Sequence, residues 1–138
     1  MNLEQGYRKA RARGWQAVWA IQHARTQIEW EKAEAEGLVR LRVKPDDCCN
    51  LDDLLGDVYN PDVNTDIHPA RLERERKQEI QRINDYGVWG IVGEYKCECC
   101  GQWTQADSVW GFVGDDWTDS GYDSDVMQAT LDELKKGQ

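Results

Sequence analysis

The chain has 138 residues, with 26 Asp or Glu against 17 Lys or Arg and a formal net charge of −9. That length supports one hydrophobic core, and so large an acidic excess opposes a chain that itself clamps a phosphate backbone. No apolar run approaches the roughly 20 residues that span a bilayer. A single α+β domain over residues 1–138 is therefore expected.

The charge is uneven. Residues 1–44 hold nine bases and five acids, whereas residues 45–138 hold 8 bases and 21 acids. Such a field steers cationic partners and repels nucleic acid. The expected partner is a protein with a basic surface, with no direct nucleic-acid contact and no membrane. The polar, basic amino terminus, Met1 to Gly14, lacks the apolar stretch of a secretory signal, so an intracellular, cytoplasmic protein is expected.

From Leu3 to Glu36 the residues are mostly good helix formers with no proline, and the segment reads as a helix carrying a basic arm of Arg8, Lys9, Arg11 and Arg13. Trp15, Val18, Trp19, Ile21, Ile28 and Trp30 supply a broad apolar arc. Gly14 marks a start or a kink, and Gly37 ends the helix. Next, Val39, Leu41 and Val43 alternate with Arg40 and Arg42, which predicts a half-buried strand.

Residues 45–68 hold seven Asp and two of the three prolines, and read as an acidic loop with a short helical turn at Leu51–Leu55. Pro69 suits the first position of a helix that continues from Ala70 to Tyr86, with Leu72, Ile80 and Ile83 as a thin stripe. It should be peripheral.

Val88-Trp89-Gly90-Ile91-Val92-Gly93-Glu94 recurs as Val109-Trp110-Gly111-Phe112-Val113-Gly114-Asp115. These β-rich, glycine-punctuated segments flank a Cys-rich turn, which predicts a hairpin over 87–115 whose glycines leave room for facing tryptophans. A final helix over 123–136 has Asp123 and Asp125 at its start and Lys135 and Lys136 at its end, matching the helix dipole. The expected architecture is a small, mainly antiparallel sheet of about three strands packed with three helices.

Two clusters could carry chemistry. The five cysteines form an odd count, which argues against a disulfide scaffold. Cys97-x-x-Cys100-Gly101 has the spacing of a zinc knuckle, and Cys48 or Cys49 with His68 would complete a tetrahedral Zn²⁺ site. The expected ligand set is Cys97, Cys100, Cys48 and His68. Asp115, Asp116, Asp119, Asp123 and Asp125 form the second cluster. A calcium loop starting at Asp116 fails, because Met127 occupies the position of the bidentate glutamate. The same turn, through Asp115, Asp116, Trp117, Asp119 and Asp123, is the expected partner-binding surface.

No phosphate loop, nucleophile elbow or zinc-protease motif occurs, so a non-enzyme with no catalytic residues is expected. The leading function is an acidic binding protein that inhibits a protein with a basic or nucleic-acid-binding surface. A zinc-stabilised structural or adaptor module is the first alternative. A metal-dependent hydrolase using the Asp-rich turn is the second.

The string Asp107-Ser108-Val109-Trp110-Gly111-Phe112-Val113-Gly114-Asp115-Asp116, followed by Asp119-Ser120-Gly121-Tyr122-Asp123, resembles small uncharacterised acidic proteins encoded by bacteriophages. The resemblance covers the last third of the chain. It implies action in the cytoplasm of a bacterial host, and it brings no catalytic residues.

Overall fold

Asn2 opens the first helix with a reciprocal cap: its side chain accepts the Gln5 N–H at 2.8 Å, while Gln5 Oε1 accepts the Asn2 N–H at 3.0 Å. In the computed structural model, which describes residues 2–14 and 16–137, this helix is α1, Leu3–Ala12. Gly14 follows at φ +84°, a left-handed value that favours glycine. A second helix, α2, runs over Ala17–Ala35 and packs on α1. The one helix expected over 3–36 is thus two, because Gly14 lets the chain turn. The basic arm is helical: Arg8 pairs with Glu4 at 2.6 Å, and Arg13 Nη2 donates to the Thr118 carbonyl at 2.7 Å.

The buried face of α2 keeps only Trp30 of the expected aromatic arc, with Ile28 half-buried. Ala20, His23, Ala24, Thr26, Trp30 and Ala33 are buried, while Val18 and Trp19 are 73% and 58% exposed. Small residues let helices approach closely, so the alanine stripe faces inward and the bulky residues of the first turn face out. Trp15 of the expected arc lies outside the described residues. Gly37, at φ +75°, closes the helix as expected, with the Leu38 N–H reaching back to the Ala33 carbonyl at 2.9 Å.

Three strands follow the expected pattern: β1 (Val39–Pro45), β2 (Val88–Lys96) and β3 (Trp103–Val113), an antiparallel sheet in the order β1-β2-β3. Between β1 and β2 lie α3 (Leu51–Leu55), which Asn50 caps by accepting the Asp53 N–H at 2.8 Å, and α4 (Pro69–Tyr86). After β3 come a 3₁₀ turn at Asp116–Asp119 and α5 (Tyr122–Lys136). The fold is α+β. The described residues hold five α-helices rather than three, the extra two being the α1/α2 break and the one-turn α3.

The chain forms two compact units. The first takes residues up to Lys44, Ile91–Val109 and the chain from Trp117 onward. Its core joins Trp30, Ala33 and Val39 to Met127, Leu131 and Leu134 of α5. Burying each such leucine contributes about 1.5–3 kcal/mol. Glu94 of β2 is buried among charges of its own sheet, bonded to Arg40 at 2.9 Å with Arg42 at 3.6 Å. The Arg40 guanidinium also lies 4.1 Å from the centroid of the Trp103 ring.

The second unit comprises Pro45–Gly90 and Trp110–Asp116, with Leu55 and Leu72 buried. Leu72 is the one buried residue of α4, so that helix is as exposed as its thin stripe implies. The glycines of the sequence repeat do not all serve tryptophan. A Cβ on Gly90 would meet the Trp110 ring, which stands on the neighbouring strand rather than in a facing layer, and in the first unit a Cβ on Gly93 would meet Thr130 and Val126 of α5.

Candidate metal centre

The turn joining β2 to β3 is closed from both ends. The Cys97 N–H donates to the Gln102 carbonyl at 2.8 Å, and the Gly101 N–H donates to the Cys97 carbonyl at 2.8 Å. Gly101 sits at φ +71°, which permits the tight return. This curl brings Cys97, Cys99 and Cys100 together, with all three Sγ atoms within 4.8 Å of one another.

The thiols are electrostatically unequal. The Cys99 thiol and the backbone N–H of Cys100 are the leading donors to Cys97 Sγ, and the Cys100 thiol and Cys99 N–H add to them. Together they hold Cys97 down to about 7. Cys99, 2.9 Å away, is pushed up because it keeps the shared proton for Cys97 and faces a neighbouring thiolate. Backbone N–H groups aimed at sulfur stabilise the thiolate, the form that ligates metal. A zinc ion accepts sulfur at about 2.3 Å and would replace the shared proton between Cys97 and Cys99. Three thiolates leave one tetrahedral position for a group from outside the turn.

Cys97 and Cys100 of the expected set are thus brought together, and Cys99 joins them. The pairwise Cys-x-x-Cys spacing hid Cys99, although three cysteines within four residues before a glycine is the signal that finds it. Cys48 is exposed beyond β1, its N–H donating to Asp46 Oδ1 at 3.2 Å. Burial, then Asp46 and Asp53, push the Cys49 thiol up. His68 is the N-cap of α4, where Nδ1 accepts the Ala70 N–H at 3.1 Å. Among the described residues, the thiol cluster includes neither Cys48 nor His68.

The acidic turn is heterogeneous. Asp115 and Asp116 belong to one compact unit, and Trp117, Asp119 and Asp123 to the other. Arg82 holds Asp116 through Nη1 at 3.0 Å and Nη2 at 2.9 Å, and holds Glu79 at 2.7 Å. These two carboxylates keep the Arg82 guanidinium well above its ordinary range. Asp123 is buried, Trp117 is partly buried, and Asp115 and Asp119 are exposed.

Among the described residues no helix is long and apolar enough to cross a membrane. Compared with protein-family models, with curated proteins and with solved structures, the chain matches none.

Proposed function

We propose that the chain is a non-enzymatic adaptor module whose β2–β3 hairpin is fastened at its tip by one zinc ion on Cys97, Cys99 and Cys100. The convergence of these three sulfurs on one turn carries the reading. Metal there would pin the turn that joins β2 to β3 and stabilise the hairpin from outside the core. Native mass measurement of the purified chain tests it: one zinc per chain is expected, lost in the Cys97→Ser/Cys100→Ser variant. Chelation should lower the melting temperature of the native chain and leave the double variant unchanged. A metal-free, chelator-insensitive chain overturns the reading.

A second reading, an acidic protein that engages a basic surface, draws on α5. Asp125 and Asp132 are exposed there with no base between them in sequence. In the phage context implied by the resemblance, such a protein would inhibit a host partner by presenting carboxylates where that partner expects phosphates.

A further inference from the structure

The first compact unit contains an open groove of about 660 Å³ between α2 and α5. Trp19 and Tyr122 line it from opposite helices, and Asp125 and Asp132 line it from α5. Both aromatics are more than half exposed, which leaves apolar ring surface open to solvent at the groove. No Lys or Arg lines the groove among the described residues. Its lining thus offers two aromatic rings and two carboxylates, with Lys136 of α5 acting on Asp132 from outside the groove.

One wall is held in place. Thr26 Oγ1 donates to Gln128 Oε1 at 2.8 Å, and Gln128 Nε2 donates to Asp132 Oδ1 at 3.0 Å. The Asp132 carboxylate is thus oriented by a relay that crosses from α2 to α5. His23 lies at the floor and is buried. Burial pushes it down most, Asp123 opposes this, and Arg13 and Lys9 add to it. Asp125 and Asp132 are seven residues apart on α5, about 10 Å along its axis.

We propose that this groove docks a basic amphipathic helix of a partner protein. Two arginines or lysines, two turns apart on the partner, would meet Asp125 and Asp132, and the apolar residues between them would meet Trp19 and Tyr122. Seven residues on the partner helix span the same length as seven on α5, so the two charge pairs are in register. Aromatic side chains beside carboxylates suit guanidinium and ammonium groups, which stack on rings while pairing with acids. The inference rests on the second reading above and names its partner surface.

The test uses the full chain and a helical peptide with two arginines seven residues apart and leucines between them, titrated by calorimetry at two salt concentrations. Binding that weakens with salt is expected, together with a loss of about ten-fold or more in Asp125→Asn/Asp132→Asn. Trp19→Ala, an exposed change that leaves the core intact, should weaken binding comparably. Asp57→Asn/Asp62→Asn removes the same charge from the other unit and should have little effect. If both charge-matched variants weaken binding equally, the groove is not the site, while the acidic-binder reading stands. If a peptide with glutamine in place of arginine binds as well, the charge pairing is overturned. If the native chain binds no basic peptide, the groove proposal and the second reading fall together.

Discussion

Gly93 of β2 lies against Thr130 of α5 so closely that a methyl group on the strand would occupy the place of the threonine hydroxyl. Thr130 is fully buried and its hydroxyl donates to the Val126 carbonyl at 2.7 Å, so it has nowhere to swing. The helix and the sheet can touch here only through a residue without a side chain. Gly93→Ala should therefore cost about 2–3 kcal/mol. Gly90→Ala should also be destabilising, because its methyl would overlap the Trp110 ring. Chemical denaturation of the two variants would check both losses. Adding Thr130→Ala should recover part of the Gly93→Ala loss, as coupled neighbours do.

Arg40 serves Glu94 and Trp103 at once, and the graded series at this position is informative. Arg40→Lys keeps the charge but loses the planar stacking on Trp103, so a small drop in melting temperature is expected. Arg40→Ala leaves Glu94 with Arg42 alone, at 3.6 Å, and should be worse. Removing both arginines strands a buried carboxylate at a cost of about 3–5 kcal/mol. Glu94→Gln should rescue the double variant. Thermal melts of the four proteins would test the ranking.

His23 makes stability sensitive to mild acid. Its folded value is lowered, chiefly by burial, so the unfolded chain takes up a proton at a higher pH than the folded one. The stabilisation is complete above the ordinary histidine value of about 6.5 and is lost as pH falls below it toward the depressed folded value. The slope is at most about 1.4 kcal/mol per pH unit for this one group. His23→Gln should flatten the stability profile between pH 7 and the onset of carboxylate protonation. An unchanged profile, measured by denaturant titration at each pH, would show that another group is responsible.

His68 separates capping from metal binding. As an N-cap it accepts one backbone N–H, so His68→Ala should cost about 1 kcal/mol and His68→Asn should restore it. Zinc stoichiometry should be the same in all three proteins. Loss of the ion in both variants would make His68 the fourth ligand after all.

Much of this architecture is legible in the sequence, because it is local. Gly37 after a run of helix formers, Pro69 at the head of α4, and the Asp-to-Lys gradient of α5 each act within one turn of where they are read. The inward face of α2 is less legible: Trp30 is buried, but Ala20, Ala24 and Ala33 fill the rest of its apolar side while Val18, Trp19 and Ile21 are exposed, because close helix approach selects small residues. The same limit hides the Arg40–Glu94 bond and the Thr26–Gln128–Asp132 relay, whose partners meet only after folding. In the thiol turn, pairing cysteines by spacing reached Cys97 and Cys100 and passed over Cys99, because a pair rule does not see that a tight curl gathers all its side chains. His68 was legible as a nitrogen donor in sequence, but its use as an acceptor for the Ala70 N–H depends on the helix that starts beside it.

The hairpin turn also bears on the order in which the chain assembles. β2 and β3 are joined by the short segment Cys97–Gln102 and need little loop-closure entropy to meet. β1 reaches β2 only after residues 46–87 have been gathered in between, a far more distant closure. The hairpin should thus form early in the sheet and β1 should dock last. Substitutions in the Cys97–Gln102 turn should slow refolding, whereas substitutions in β1 should mainly speed unfolding.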